Sequence, residues 1–476
     1  MAETSPRRKN WALLIATLAL LAPTSGAFAA SRLTAVEVAQ VRTEGDYVRV
    51  TGMVRGVVSP GEDVVGLADL PRNADGDYAY SSAFEIVTAA PGRPVDEAIY
   101  VDAENRGSAI SQGALGAFLP RRRTAYARVQ WQTGISPGVP QNAQGVGLVI
   151  MRDFARWLAG RTPAAVTGDW KPAGAYPKLM LGGISQSAWF VNTFIAEGFN
   201  VDPATGARVF DGAIAVDGVG GWLAINRIAA QRGVVGQTPY VDPNGLPLSR
   251  AELLRRLATD PVYVDIANFT DFYRLRAGLT STDFSGRNFR RYDFPSPHAV
   301  GTSAARCNDG APIRYLDLRY APYMRALVLG LEQAIGVPGA AGARPLPPTA
   351  VFRLGDAPKN VRWFNPLPGV EVKTPVLDPN GWPVGGVRFP EGLIPLGQPS
   401  PPSVPPVTTA SISQTCGNYA GFEPFSAAER ASRYGDKAAW LARYRASLER
   451  LESEGFLLAE DLPAMVQAAS EAFDRP

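Results

Sequence analysis

One histidine and two cysteines stand in 476 residues, and that scarcity excludes several classes of protein. A zinc site takes closely spaced Cys and His ligands, so no metal is expected from one His and two distant Cys. Neither a phosphate-cradling glycine loop nor a dinucleotide fingerprint occurs, and no cofactor is expected. Internal repeats and low-complexity tracts are missing, which sets aside solenoid and fibrous architectures. Charge of one sign is also missing: the formal net charge is +3 with a pI of about 8.8.

The small positive balance is concentrated at the start of the chain. Arg7, Arg8 and Lys9 precede an apolar run from Trp11 to Ala22, and Ala27-Phe28-Ala29 offers a small-x-small cleavage site. Residues 1–29 therefore read as a signal peptide, too short for a comfortable membrane span, and the expected location is exported, periplasmic or secreted, with no membrane anchor once the leader is cut. Removing it takes three basic residues and one acid, leaving 44 basic against 43 acidic. Such a balance offers nothing to nucleic acid, and Arg121-Arg122-Arg123 reads as a solvated loop. In an exported chain, Cys307 and Cys416 are the candidate disulfide.

What is present is a 46% hydrophobic chain long enough for a large core, with 48 Gly and 41 Pro supplying loops. Residues 30–107 read as β-rich, with strands around Tyr47–Thr51, Val64, Phe84–Val87 and Ile99–Val101. Strand and helix then alternate: a short helix over Ala109–Phe118, strand Thr124–Val129, helix Val146–Leu158, and strands at Leu179–Leu181, Val209–Val216, Pro261–Ala267 and Asn288–Asp293. That order predicts an α/β fold, a mostly parallel central sheet flanked by helices, with a core over 108–305. An excursion at 222–258 reads as a lid insertion, with a helix over Arg250–Leu257. A loop-rich C-terminal extension (306–476) runs from a helix at Tyr320–Ile335, through a Pro-rich stretch from Gly336 to Pro406, to helices at Ala438–Leu451 and Pro463–Phe473. Ser426-x-x-Glu429 is a capping box.

Within that pattern Gly183-Ile184-Ser185-Gln186-Ser187 lies between an apolar strand and a helix carrying Trp189, Phe190, Phe194 and Ile195. A serine flanked two residues away by small residues at a strand-to-helix turn is a nucleophile elbow: the tight turn excludes bulk and lifts the hydroxyl clear of the sheet. Gly134-Ile135-Ser136-Pro137-Gly138 fits the literal Gly-x-Ser-x-Gly string better, yet Pro137 has no N–H for an oxyanion and Gln186 has.

A serine nucleophile needs a base, and only His298 can be that base. It follows the last strand, downstream of Ser185. Asp271, on the loop after the preceding strand, is the expected acid; Asp265 lies inside that strand and Asp293 sits too near the histidine. The oxyanion needs two N–H donors, one from Gln186 and one from the loop after Thr124–Val129, at Gln130, Trp131 or Gln132.

Several stretches in order resemble the bacterial "alpha/beta hydrolase domain" proteins, which are often exported. Ile99-Tyr-Val-Asp-Ala-Glu-Asn-Arg-Gly107, Met151–Leu158, the Ser185 elbow, Gly198–Asp202 with Val209–Gly212, and Asp378–Pro390 are each similar to elements of that family, from roughly Tyr47 onward. The resemblance implies an α/β-hydrolase fold with Ser185 as nucleophile and His298 as base. Ser187 and Ala188 stand where the elbow carries small residues or Gly. Where the family carries Ser-Glu-Thr-Asp this chain has Asn268-Phe269-Thr270-Asp271, which keeps the Asp and replaces the Glu. The expected function is hydrolysis of a small-molecule carboxylic ester. The alternatives are an amidase or acyltransferase with the same triad, or a non-catalytic binding protein of the same fold.

Overall fold

The computed structural model describes residues 30–236, 246–281, 286–300, 314–340, 344–357, 369–402 and 416–475. The leader, the Asp242–Gly245 turn and Cys307 lie outside the described residues. Among them no helix is long and apolar enough to cross a membrane.

Ten strands make one sheet: β1 Arg32–Glu44, β2 Tyr47–Val58, β3 Tyr78–Ala89, β4 Ala98–Ala103, β5 Thr124–Val129, β6 Ala165–Thr167, β7 Lys178–Ile184, β8 Gly212–Val216, β9 Val262–Asn268 and β10 Phe289–Phe294. They are ordered β10-β9-β8-β7-β4-β5-β3-β2-β1-β6. The half from β5 to β10 is parallel throughout, whereas β1, β2, β3 and β5 pair antiparallel. Burial follows the same division. β4 and β8 are buried at every position, as strands covered on both faces must be, while β2 alternates between buried and half-exposed along its first eight residues.

The α-helices up to Ile335 are α1 Gln112–Leu115, α2 Val146–Leu158, α3 Gln186–Ala196, α4 Arg227–Gln231, α5 Arg250–Leu253, α6 Asp271–Arg274 and α7 Ala321–Ile335, and others follow at Pro390–Leu393, Ala427–Tyr434, Lys437–Ser453 and Leu462–Asp474. α2 and α3 are buried along their whole lengths. Two details differ from expectation. One is a strand: none forms at Val64, where the chain turns into a short 3-10 helix at Leu67–Asp69; the other is length, since α1 is shorter than Ala109–Phe118, α5 stops at Leu253 and not Leu257, and β8 starts at Gly212 and not Val209.

The described ends of the 222–258 excursion fasten to the far end of α3. Arg256 donates to the carbonyls of Ile195 and Ala196, and the Asn226 amide donates to Glu197. The last third of the chain joins the same core: Phe389 stacks on Tyr323 at 3.7 Å, Phe456 meets Tyr292 edge-on, and the Trp440 indole donates to the carbonyl of Ile394. The Ser426–Glu429 capping box is formed, opening a helix at Ala427–Tyr434.

Burial leaves one acid of α7 with a measurable signature. Glu332 is 2% exposed, accepts from the Thr124 hydroxyl at 2.7 Å, and is pushed by burial up to about 7. The folded state holds this proton between pH 4.5 and about 7 while the unfolded state releases it, so stability falls as pH rises through that window. Glu332→Gln should therefore raise the unfolding free energy at pH 8 by up to about 3 kcal/mol and leave it nearly unchanged at pH 4, as read by urea titration at the two pH values.

Candidate active site

Five loops meet at the carboxyl ends of the parallel strands, the edge where open α/β sheets place their ligands. The turn after β7 carries Ser185 at φ 60° and ψ −122°, a conformation that costs a non-glycine residue energy and points its half-buried hydroxyl off the sheet. Two small residues make the turn possible. A Cβ on Gly183 would collide with the backbone of Ser187. The Ser187 hydroxyl accepts from the N–H of Ile184 at 2.8 Å and donates to its carbonyl at 2.9 Å. Serine at this position thus fastens the elbow that glycine would merely permit.

His298 follows β10 and is 9% exposed. Its Nε2 lies 2.9 Å from Ser185 Oγ and its Nδ1 lies 2.8 Å from Asp271 Oδ1. Both contacts are satisfied by one tautomer, with the proton on Nδ1 donated to Asp271 and Nε2 free to accept from the serine. The loop holding the ring is itself held: the His298 N–H donates to the Thr270 hydroxyl at 2.8 Å, and the carbonyl of Asn418 accepts from Ala299 N–H at 3.0 Å and from the Thr270 hydroxyl at 3.4 Å.

Asp271 is fully buried at the start of α6. Burial alone would raise its carboxyl, but His298 and the hydrogen bonds from His298, Asp217 and the Asn268 N–H outweigh it and hold the group below the usual carboxylate range. His298 goes down as well, because burial disfavours the imidazolium more than Asp271 favours it. The result is a neutral base beside a charged acid. Phe269, in the position of the missing Glu, is a core residue set edge-on against Tyr273. Asp265 and Asp293 both pair with Arg291.

Sequence reasoning missed one residue of this site. Asp217, at φ 59° directly after β8, is fully buried with Oδ2 3.4 Å from His298 Nδ1. Burial, and then the Asp271 charge, push its carboxyl well above the usual range. A signal was present in the sequence, an aspartate ending the strand next to β7, but it was indistinguishable there from an ordinary turn residue. Asp217, Asp271 and His298 are also the one group of described residues whose ligand atoms, all within 4.8 Å of one another, could hold a metal ion. Of these atoms, His298 Nδ1 is engaged with Asp271 Oδ1 at 2.8 Å.

The oxyanion expectation needs correcting. Gln130 is excluded as a donor, since its N–H is committed to the carbonyl of Ala83. Trp131 and Gln132 follow β5, which is separated from β7 by β4. Trp131 packs on Phe190 at 4.1 Å and its indole donates to Glu104, while Gln132 Oε1 accepts from the Arg106 N–H. The loop that meets the elbow is the one after β4: the Asn105 amide donates to the carbonyl of Ile184 at 3.0 Å. Gln186 opens α3, where the first N–H groups have no partner inside the helix.

No curated protein matches the sequence significantly. Among solved structures the chain is similar to a lidless serine hydrolase from Xanthomonas campestris (11% identity, 49% of this chain and 84% of that one, TM-score 0.28). It is similar also to an S-formylglutathione hydrolase from Agrobacterium tumefaciens (10%, 54% and 91%, TM-score 0.32). A third is a cold-adapted esterase from an Arctic intertidal metagenomic library (8%, 56% and 92%, TM-score 0.28). The family model described as "Alpha/beta hydrolase domain" matches residues 79–467, and the chain belongs to that family.

Proposed function

We propose that the protein is an exported serine hydrolase that cleaves a small-molecule carboxylic ester. One observation carries this reading: a serine at φ 60° on a strand-to-helix turn is hydrogen-bonded to a histidine that is hydrogen-bonded to a buried aspartate. In the reaction Ser185 Oγ attacks the ester carbonyl as His298 Nε2 takes its proton, and Asp271 stabilises the imidazolium. The oxyanion is received by the Gln186 N–H and, from the loop after β4, by the N–H of Gly107, since those of Asn105 and Arg106 are committed to Ser108 and to the Gln132 side chain. His298 returns the proton to the leaving alcohol, and water, activated by the same imidazole, releases the acid. The 222–258 excursion is read as the lid from its place in the sequence alone.

Export rests on the leader pattern of residues 1–29, and the cysteines complete the same picture. Cys416 is buried beside Tyr419 and pairs in this reading with Cys307. Mass analysis of non-reduced peptides of the mature protein should find residues 307 and 416 linked.

The test of the hydrolase reading is labelling with a fluorophosphonate probe, wild type beside Ser185→Ala, with mass mapping of the modified peptide. Labelling should occur at Ser185 and vanish in the variant. A folded wild-type protein that takes no label would instead support a binding protein that retains the fold.

A further inference from the structure

Two carboxylates face one imidazole nitrogen in this site, and a Ser-His-Asp relay uses one. Asp271 has both oxygens engaged: Oδ1 accepts from His298 Nδ1 at 2.8 Å and Oδ2 from the Asn268 N–H at 2.8 Å. Asp217 has one. Its Oδ1 accepts from the Asn268 amide at 2.5 Å, and its Oδ2 is sealed from solvent with no donor. The Asn268 amide is oriented for this task, because its own oxygen accepts from the Ser296 hydroxyl. A buried ionised oxygen without a donor is costly, and two carboxylates sharing a dry site do not both ionise.

A single hydrogen on Asp217 removes both difficulties. Oδ2 becomes an O–H donor, and the carboxylate beside it is Asp271, the ligand atoms of the two acids and of His298 all lying within 4.8 Å of one another. We propose that Asp217 is a positioning residue that stays protonated and donates to Asp271, so that His298 faces one negative charge and not two. This proposal rests on the Ser185–His298–Asp271 reading and adds to it. No oxidation or group transfer is involved, and the proton remains between the two carboxyls. The other groups facing the pair are Asn268, the Arg274 guanidinium and the Tyr320 phenol, which is itself held neutral by burial.

The chain's one histidine makes the test direct, since a tag-free mature protein labelled with 15N-histidine shows one imidazole. A second ionised carboxylate 3.4 Å from Nδ1 would raise the imidazole pKa by about three and a half pH units at an effective dielectric constant near 20. The expected wild-type midpoint therefore lies below about pH 8, and Asp217→Asn, a neutral-for-neutral exchange, should move it by less than about half a unit. A wild-type midpoint above about 8, or a fall of more than about one unit in Asp217→Asn, overturns the proposal. Should that variant not fold, the wild-type midpoint alone decides. The acid limb of kcat/KM for an aryl ester should likewise stay in place in Asp217→Asn, whereas removal of a charged Asp217 would shift it to lower pH. Fluorophosphonate labelling of the same samples keeps the two readings apart: absent label with an unshifted imidazole sinks the hydrolase and leaves the proton where it is assigned.

Discussion

Replacing His298 with alanine should lower turnover of an activated aryl ester about ten-thousandfold, with far-ultraviolet circular dichroism unchanged. The size follows from the chemistry. Without an imidazole no group near Ser185 can take its proton, since the remaining titratable neighbours are one carboxylate held below its usual range and one held above it. Asp271→Asn should be nearly as severe, because an amide in its place leaves the ring free to adopt the wrong tautomer. The pH profile carries the same information: the neutral ring is the base, so kcat/KM should fall as pH drops below about 6.5, the ordinary histidine range that burial here undercuts. An alanine variant within tenfold of wild type would remove His298 from the mechanism.

The second large effect is on stability. Arg291→Met should cost about 3–5 kcal/mol of unfolding free energy, measured by urea denaturation at pH 7. Arg291 is 1% exposed, and it donates to Asp293 at 2.7 Å and to Asp265 on the neighbouring strand. Methionine fills similar space but leaves both acids buried without their cation. Asp293 keeps the Phe352 N–H as a donor at 2.9 Å, whereas Asp265 has one oxygen with no partner already. Since β10 carries Arg291 and leads into the His298 loop, the variant should also lose activity at temperatures where the wild type is intact. Loss of less than about 1 kcal/mol would mean that the acids neutralise by taking up protons.

The parallel half of this fold was legible because its strands are short apolar runs and its helices keep a clean period. β5 and α2 fall on the expected residues, β9 and β10 within one position, and β7 runs three residues past its apolar run to Ile184. The antiparallel ribbon was harder. β1 reads Arg-Leu-Thr-Ala-Val-Glu-Val-Ala-Gln-Val-Arg-Thr-Glu, and its outer half is exposed, so no apolar run marks it. At the site, chain order was enough to pick out Ser185, Asp271 and His298, which the structure brings within hydrogen-bond distance of one another in series, because each follows a strand. The oxyanion side was misplaced for a topological reason. β5 comes nearer to β7 in sequence than β4 does, yet β4 is the strand hydrogen-bonded to β7. Asp217 stayed silent because a strand-ending aspartate has no local mark that tells a shared proton from a turn.

Asn418 gives the architecture a temporal side. Polypeptides emerge from the ribosome amino end first, so Ser185, Asp271 and His298 are all synthesised before the residue whose carbonyl ties Thr270 and Ala299 in place. A nascent chain that already holds its nucleophile, acid and base still lacks the strap that fixes the base's loop. A chain that stops before residue 416 keeps Ser185, Asp271 and His298 but loses the carbonyl to which Thr270 and Ala299 both donate.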